Sequence, residues 1–283
     1  MLQTVYTQIC ERDLGMALTT LPTIIKFLAP GQQLVVIDDG SVSLESASLI
    51  SALSPSVKVM LKKERDEYVL NEIKDYPVCL KYRADHPLAF KLLDIPLIAK
   101  RDSPRFTYTD SDIIYLKSCE DYFVRDVNTF LKTDAVKLSF QLKVGLLKYK
   151  WKIPYKFNSG YFSFDTKDYD LDFIEYFLAV PEVRNPLWLT EQTCWSFLFE
   201  RAGAAFCPAE NQFICNEAFK GPDAESLAIH LIGIHDKPAF AKKWSTIEHI
   251  NNVKESTPVF KRSRNVTVLD WIIKSVQRYS PIK

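Results

Sequence analysis

The sequence predicts an α/β fold with a mainly parallel central sheet and helices on both faces. Three observations carry this. Residues 4–61 alternate as strand, helix, strand, helix, strand, the order that builds parallel sheets. Two runs of strand formers end in acidic clusters, Asp38-Asp39-Gly40-Ser41 and Asp110-Ser111-Asp112. The chain has 283 residues, 47% of them hydrophobic, enough to bury the core of one large domain.

Thr4–Ile9 reads as the first strand, Asp13–Leu28 as a helix, and Gln33–Ile37 as a second strand ending at Asp38. Leu44–Leu53 follows as a helix and Val57–Leu61 as a third strand. A further helix starts near Asp85, with Pro87 tolerated in its first turn and Pro96 forcing an end or kink. Arg105–Thr109 is a strand running into Asp110, and a helix is expected over Asp121–Leu131. A strand at Ala135–Phe140, a basic and aromatic stretch through Lys156 and a strand at Gly160–Phe164 come next. Thr190 is placed to cap a helix that Gly203 stops. Leu227–Ile232 reads as a strand carrying His230.

After residue 240 the composition turns basic, nine Lys or Arg against three acids, with an amphipathic helical pattern over Val266–Gln277. The expected organisation is one domain over 1–240 and a basic C-terminal extension over 241–283.

Composition removes several function classes. Lys plus Arg total 36 against 35 Asp plus Glu, so no overall field attracts nucleic acid. The 8 glycines are too far apart for GxGxxG or a P-loop. A bound diphosphate would therefore be neutralised by a metal or by side-chain cations. The six cysteines form no CxxC pair and the N-terminus lacks signal-peptide features, which predicts reduced thiols and a cytoplasmic setting. No apolar run spans a bilayer, so membrane contact is expected only as peripheral docking of the basic extension on an inner leaflet.

Asp110 and Asp112 are two residues apart at a strand end, and extended geometry would project both carboxylates to one side. Two hard oxygens suit Mn²⁺ or Mg²⁺, and an imidazole from His230 would favour Mn²⁺. By residue type alone the same tripeptide also reads as a turn or N-cap, and His230 as a core histidine.

In order along the chain, Phe106-Thr107-Tyr108-Thr109-Asp110-Ser111-Asp112, Asn158-Ser159-Gly160-Tyr161-Phe162, Glu191-Gln192 and His230-Leu231-Ile232-Gly233-Ile234-His235-Asp236-Lys237-Pro238 resemble the motifs of GT-A fold glycosyltransferases. The set is most similar to the retaining family 8 type that includes glycogenin and bacterial galactosyltransferases. Two departures stand out: His-to-Lys spacing is one residue longer than that pattern, and Ala239 replaces an aromatic. The Asp38-Asp39-Gly40-Ser41 run is more similar to inverting family 2 enzymes.

The resemblance implies a metal-dependent transfer of a hexose from a sugar nucleotide, a UDP-sugar, to a hydroxyl of a glycan, lipid-linked or protein acceptor, with retention. It implies that Asp110, Asp112 and His230 hold the metal, His235 being the competing ligand, and that Lys237 and Gly233 attend the leaving diphosphate. Asp38 or Asp39 would bind the nucleoside. Lys91, ahead of Arg83, would lie near the nucleotide or donor sugar, and Asn158, Ser159 and Gly160 would line the sugar pocket. Glu191 would accept hydrogen bonds from sugar hydroxyls, with Gln192 near the anomeric carbon. Among the aromatics, Trp188 and Tyr155 are the acceptor-site candidates.

Three alternatives compete. They are an inverting family 2-like transferase, a sugar-1-phosphate nucleotidyltransferase, which would want a glycine-rich N-terminal loop, and a non-catalytic GT-A-like interaction module.

Overall fold

The computed structural model describes residues 3–116, 123, 126–132, 157–181, 189–203, 206–208, 213–214, 226–232, 236–245 and 260–262. Strands β1 (Thr4–Ile9), β2 (Leu34–Asp38) and β3 (Val57–Met60) are joined by helices α1 (Leu14–Lys26) and α2 (Leu44–Ser51). Helices α3 (Lys62–Glu72), α4 (Pro77–Asp85), α5 (Ala89–Leu92) and α6 (Asp94–Asp102) then lead into β4 (Arg105–Thr109) and β5 (Ile113–Tyr115). The remainder contributes β6 (Thr129–Lys132), β7 (Phe157–Asp165), α7 (Leu171–Ala179), α8 (Thr190–Arg201), β8 (Phe206–Pro208), β9 (Phe213–Ile214), β10 (Ala228–His230), α9 (Lys237–Trp244) and β11 (Phe260–Arg262).

The main sheet has eight strands in the order β11-β8-β6-β7-β4-β1-β2-β3. Its β4-β1-β2-β3 half is parallel throughout, while β7 runs antiparallel to both β4 and β6. A strand covered on both faces must be apolar on both, and β1 and β2 alternate accordingly. Val5, Ile9, Leu34 and Val36 pack with Ala17, Leu21 and Ile24 of α1, whereas Tyr6, Val35 and Ile37 pack with the helices of the opposite face. Helices therefore cover both sides of the parallel half.

Antiparallel pairing of β4 with β7 sets Thr109 opposite Tyr161, so the start of β7 lies at the end of β4. A second sheet of three strands, β5-β10-β9, sits beside this end and sets His230 opposite Ile113.

Several sequence expectations need correction. The end of the helix expected over Asp121–Leu131 is instead β6, because Thr129 and Phe130 find pairing partners in Ser163 and Phe162, while Phe123 is helical and residues 121, 122, 124 and 125 lie outside the described residues. The Phe130 ring packs 4.8 Å from Phe157 and 5.5 Å from Phe199. The helix expected from about Asp85 begins later, at Ala89, after α4 has ended at Asp85, and it is interrupted at Leu93 between α5 and α6. Pro96 falls in the first turn of α6, where a missing N–H is harmless. Thr190 is the first helical residue of α8 rather than its cap. Helices α3 and α4 were not expected. The strand expected at Ala135–Phe140 and the helix at Val266–Gln277 lie outside the described residues.

Candidate active site

Asp110 follows β4, and its N–H donates to the carbonyl of Gly160 at 2.6 Å. The next residues do not continue as a strand. The Ile113 N–H donates to the Asp110 carbonyl at 3.3 Å, closing a turn through Ser111 and Asp112. The two carboxylates therefore converge through a turn, and the extended geometry expected for the pair is not what brings them together. The Leu231 N–H donates to the Asp112 carbonyl at 3.0 Å, which fixes β10 against this turn.

His230 Nε2 consequently stands 3.2 Å from Asp112 Oδ1 and 3.4 Å from Asp110 Oδ2. Ligand atoms of the three side chains all lie within 4.8 Å of one another. Each carboxylate also has an ammonium partner. Lys91 Nζ is 2.9 Å from Asp110 Oδ1, and Lys237 Nζ is 2.6 Å from Asp112 Oδ2. The Tyr108 hydroxyl donates to Asp110 Oδ1 at 2.6 Å, a contact that sequence reading missed. The signal was available, since side chains two apart along a strand share a face.

Electrostatics follow from burial and proximity. Burial raises the Asp110 and Asp112 carboxyls, but Lys91 for the first and His230 with Lys237 for the second outweigh it, so both fall below the ordinary range. For His230 burial lowers the imidazole, yet the charge of Asp112 prevails and pushes it up to about 10.

Two carboxylates and an imidazole at these separations fit a hard divalent cation. Ligands at about 2.1–2.2 Å from a shared ion stand roughly 3 Å apart at right angles. Asp112 Oδ1, buried and accepting no hydrogen bond among the described residues, is an oxygen such an ion would satisfy.

Around this cluster the remaining predicted residues divide. Asn158 Oδ1 accepts the Gly160 N–H at 2.7 Å. Ser159 gives its hydroxyl to Glu191 at 3.1 Å and its N–H to Gln192 Oε1 at 3.3 Å. Lys91 lies 3.9 Å from Glu191 Oε1, which links the Glu191-Gln192 pair to Asp110. Burial raises Glu191 to about 7 despite Lys91. Glu191 Oε1 and Gln192 Nε2 are buried without a hydrogen-bond partner among the described residues.

Gly160 has a reason the sequence did not supply: a Cβ there would come 2.2 Å from His230 Cε1. The imidazole lies against bare backbone.

At the end of β2, Asp38 is spent on its own loop, its carboxylate accepting the N–H groups of Gly40 at 2.6 Å, Val42 at 3.0 Å and Lys62 at 3.1 Å. Asp39 accepts the Ser41 N–H at 2.9 Å. Neither has a contact with the acidic pair among the described residues. Arg83 is held by Asp94 and Asp66, away from the cluster. Phe157, Tyr161 and Trp195 belong to the core. Gly233, His235, Tyr155 and Trp188 lie outside the described residues.

No protein-family profile and no curated protein sequence matches the chain. Solved structures do. The galactosyltransferase LgtC, crystallised with donor and acceptor sugar analogues, is 13% identical with a TM-score of 0.56, over 90% of this chain and 98% of that one. The apo glycosyltransferase GlyE of Streptococcus pneumoniae TIGR4 is 14% identical with a TM-score of 0.53, over 89% of this chain and 62% of that one. Mouse xyloside xylosyltransferase 1 is 11% identical with a TM-score of 0.50, over 81% and 97%. At these identities the likeness is one of fold. The chain has the GT-A architecture.

Proposed function

We propose that the protein is a metal-dependent glycosyltransferase that moves a hexose from a UDP-sugar to a hydroxyl acceptor with retention of configuration. One observation carries the reading: ligand atoms of two carboxylates and an imidazole lie within 4.8 Å of one another beyond the end of β4, each carboxylate backed by an ammonium group. The galactosyltransferase with the same fold, crystallised with donor and acceptor sugar analogues, supports a two-substrate reading.

Asp110, Asp112 and His230 would hold Mn²⁺ or Mg²⁺. That ion would offset the negative charge growing on the diphosphate as the anomeric bond breaks. Lys237 donates to the same leaving group. Lys91 orients Asp110 and, beside Glu191, faces the donor sugar. Glu191 offers its unpartnered oxygen to sugar hydroxyls, and Gln192 lies next to the anomeric carbon. Asn158, Ser159 and Gly160 wall the pocket. Gly233, outside the described residues, is assigned to the diphosphate by the sequence resemblance alone, and Asp39 binds the nucleoside on a loop that Asp38 shapes.

The catalytic unit is centred on residues 1–240; of the basic stretch 241–283, the end of α9 and strand β11 join that unit, β11 as the edge strand beside β8. The acceptor is a glycan, lipid-linked or protein hydroxyl, and the setting is cytoplasmic. Among the described residues no helix is long and apolar enough to cross a membrane.

The test is release of nucleoside diphosphate from a panel of sugar nucleotides with and without Mn²⁺. Turnover with at least one donor is expected, falling at least a hundredfold in Asp112→Asn and His230→Ala, the scale of losing one electrostatic stabiliser. Absence of turnover with every donor, together with no nucleotide-induced rise in melting temperature, would overturn the reading.

A further inference from the structure

Asp112 has the His230 imidazole beside Oδ1 and the Lys237 ammonium on Oδ2. The two lysines of the site are held differently. Lys91 is 5% exposed, bonds Asp110, lies 3.9 Å from Glu191 and sits 4.5 Å over the Tyr108 ring. Lys237 comes from the first turn of α9, is 37% exposed, and has Asp112 as its ion-pair partner among the described residues. One ammonium is fixed by several neighbours; the other has, among the described residues, one hydrogen bond, to Asp112, with the Asp13 carboxylate near enough to feel its charge.

An ammonium on a carboxylate weakens that carboxylate toward any other cation, because like charges repel across the shared group. A divalent ion attracted by Asp110, Asp112 and His230 therefore meets opposition from Lys237 for as long as the ammonium has no better partner. Phosphate oxygens brought to the same place supply one.

We infer that Lys237 is a charge gate on the metal site: it holds Asp112 against a lone divalent cation and yields it when a nucleoside diphosphate arrives. The gate rests on the metal-dependent reading above. Linkage is reciprocal, so whatever the nucleotide gains from the metal, the metal gains from the nucleotide. The consequence is joint loading of metal and nucleotide, with little metal held between turnovers.

Titration calorimetry with Mn²⁺ alone, and then with UDP at saturating Mn²⁺, tests this on the full chain, on Lys237→Met and on Lys237→Arg. Lys237→Met is expected to bind Mn²⁺ alone about tenfold more tightly and UDP about tenfold more weakly, within the usual range of coupling between sites. Lys237→Arg keeps the charge and should bind Mn²⁺ alone as weakly as the parent. A lysine that merely supports the fold would weaken both ligands together. Equal or weaker Mn²⁺ binding by Lys237→Met overturns the gate and leaves the metal reading standing. No Mn²⁺ binding by any of the three proteins, with or without UDP, overturns both.

Discussion

Burial sets the protonation of Glu191. Its folded pKa of about 7 lies above the ordinary 4.5, so the native state binds the extra proton between those values. That stabilisation is complete below pH 4.5 and is lost as pH rises through 7, an effect on the order of 3 kcal/mol. Glu191→Gln is expected to flatten the dependence of unfolding free energy on pH over this window and to exceed the parent in stability above pH 7. Urea unfolding at several pH values measures it, and an unchanged slope would show that Glu191 is not the group responsible. The acidic-amide pair was legible in the sequence because its neighbours follow a known order. Its protonation was not, since that depends on Ser159, Lys91 and the loss of water around them.

At the level of elements, β7 and β10 meet where Gly160 faces the His230 ring. Gly160→Ala would drive a methyl group to 2.2 Å from Cε1, so the imidazole or the strand has to shift. Overpacking of this kind costs about 1–3 kcal/mol, and here the displaced group is one of the three proposed metal ligands. The expected outcome is a moderate fall in melting temperature with at least a tenfold loss of Mn²⁺ affinity by calorimetry. Retention of full affinity would show that the ring tolerates the methyl. Strands β1, β2 and β4 were readable because near-continuous runs of strand formers report burial on both faces, and edge strand β3 because its two valines flank an exposed lysine. Helix α3 was not. Its buried positions are Arg65 and Val69, and a guanidinium paired with Asp94 occupies the place where an apolar stripe would have announced a helix. β6 was misread because pairing with β7, a remote partner, overrides the local helical pattern.

Over the whole molecule, the site lies where chain segments near residues 91, 110, 160, 191, 230 and 237 converge at one end of the sheet. Ligands that bind only this folded arrangement stabilise all of it. UDP with Mn²⁺ at about 100 times Kd adds about 2.7 kcal/mol, expected as a rise of roughly 5–10 °C in melting temperature that a chelator reverses. Thermal unfolding with Mn²⁺, with UDP and with both separates the contributions, and no shift under any condition contradicts a preformed site. Sequence reading recovered the order of the motifs. It missed the antiparallel turn of β7 and the small sheet under β10, because neither has a local periodicity of its own.

Sequence separation also imposes a timetable on synthesis. Asp112 and Lys237 are 125 positions apart, roughly 6–25 s of translation at ordinary rates. Until residue 230 the emerging chain owns an acidic pair but neither the imidazole nor the second lysine. The assembled cluster thus belongs to the finished polypeptide, and a ribosome-bound intermediate stalled before β10 would lack the proposed metal site.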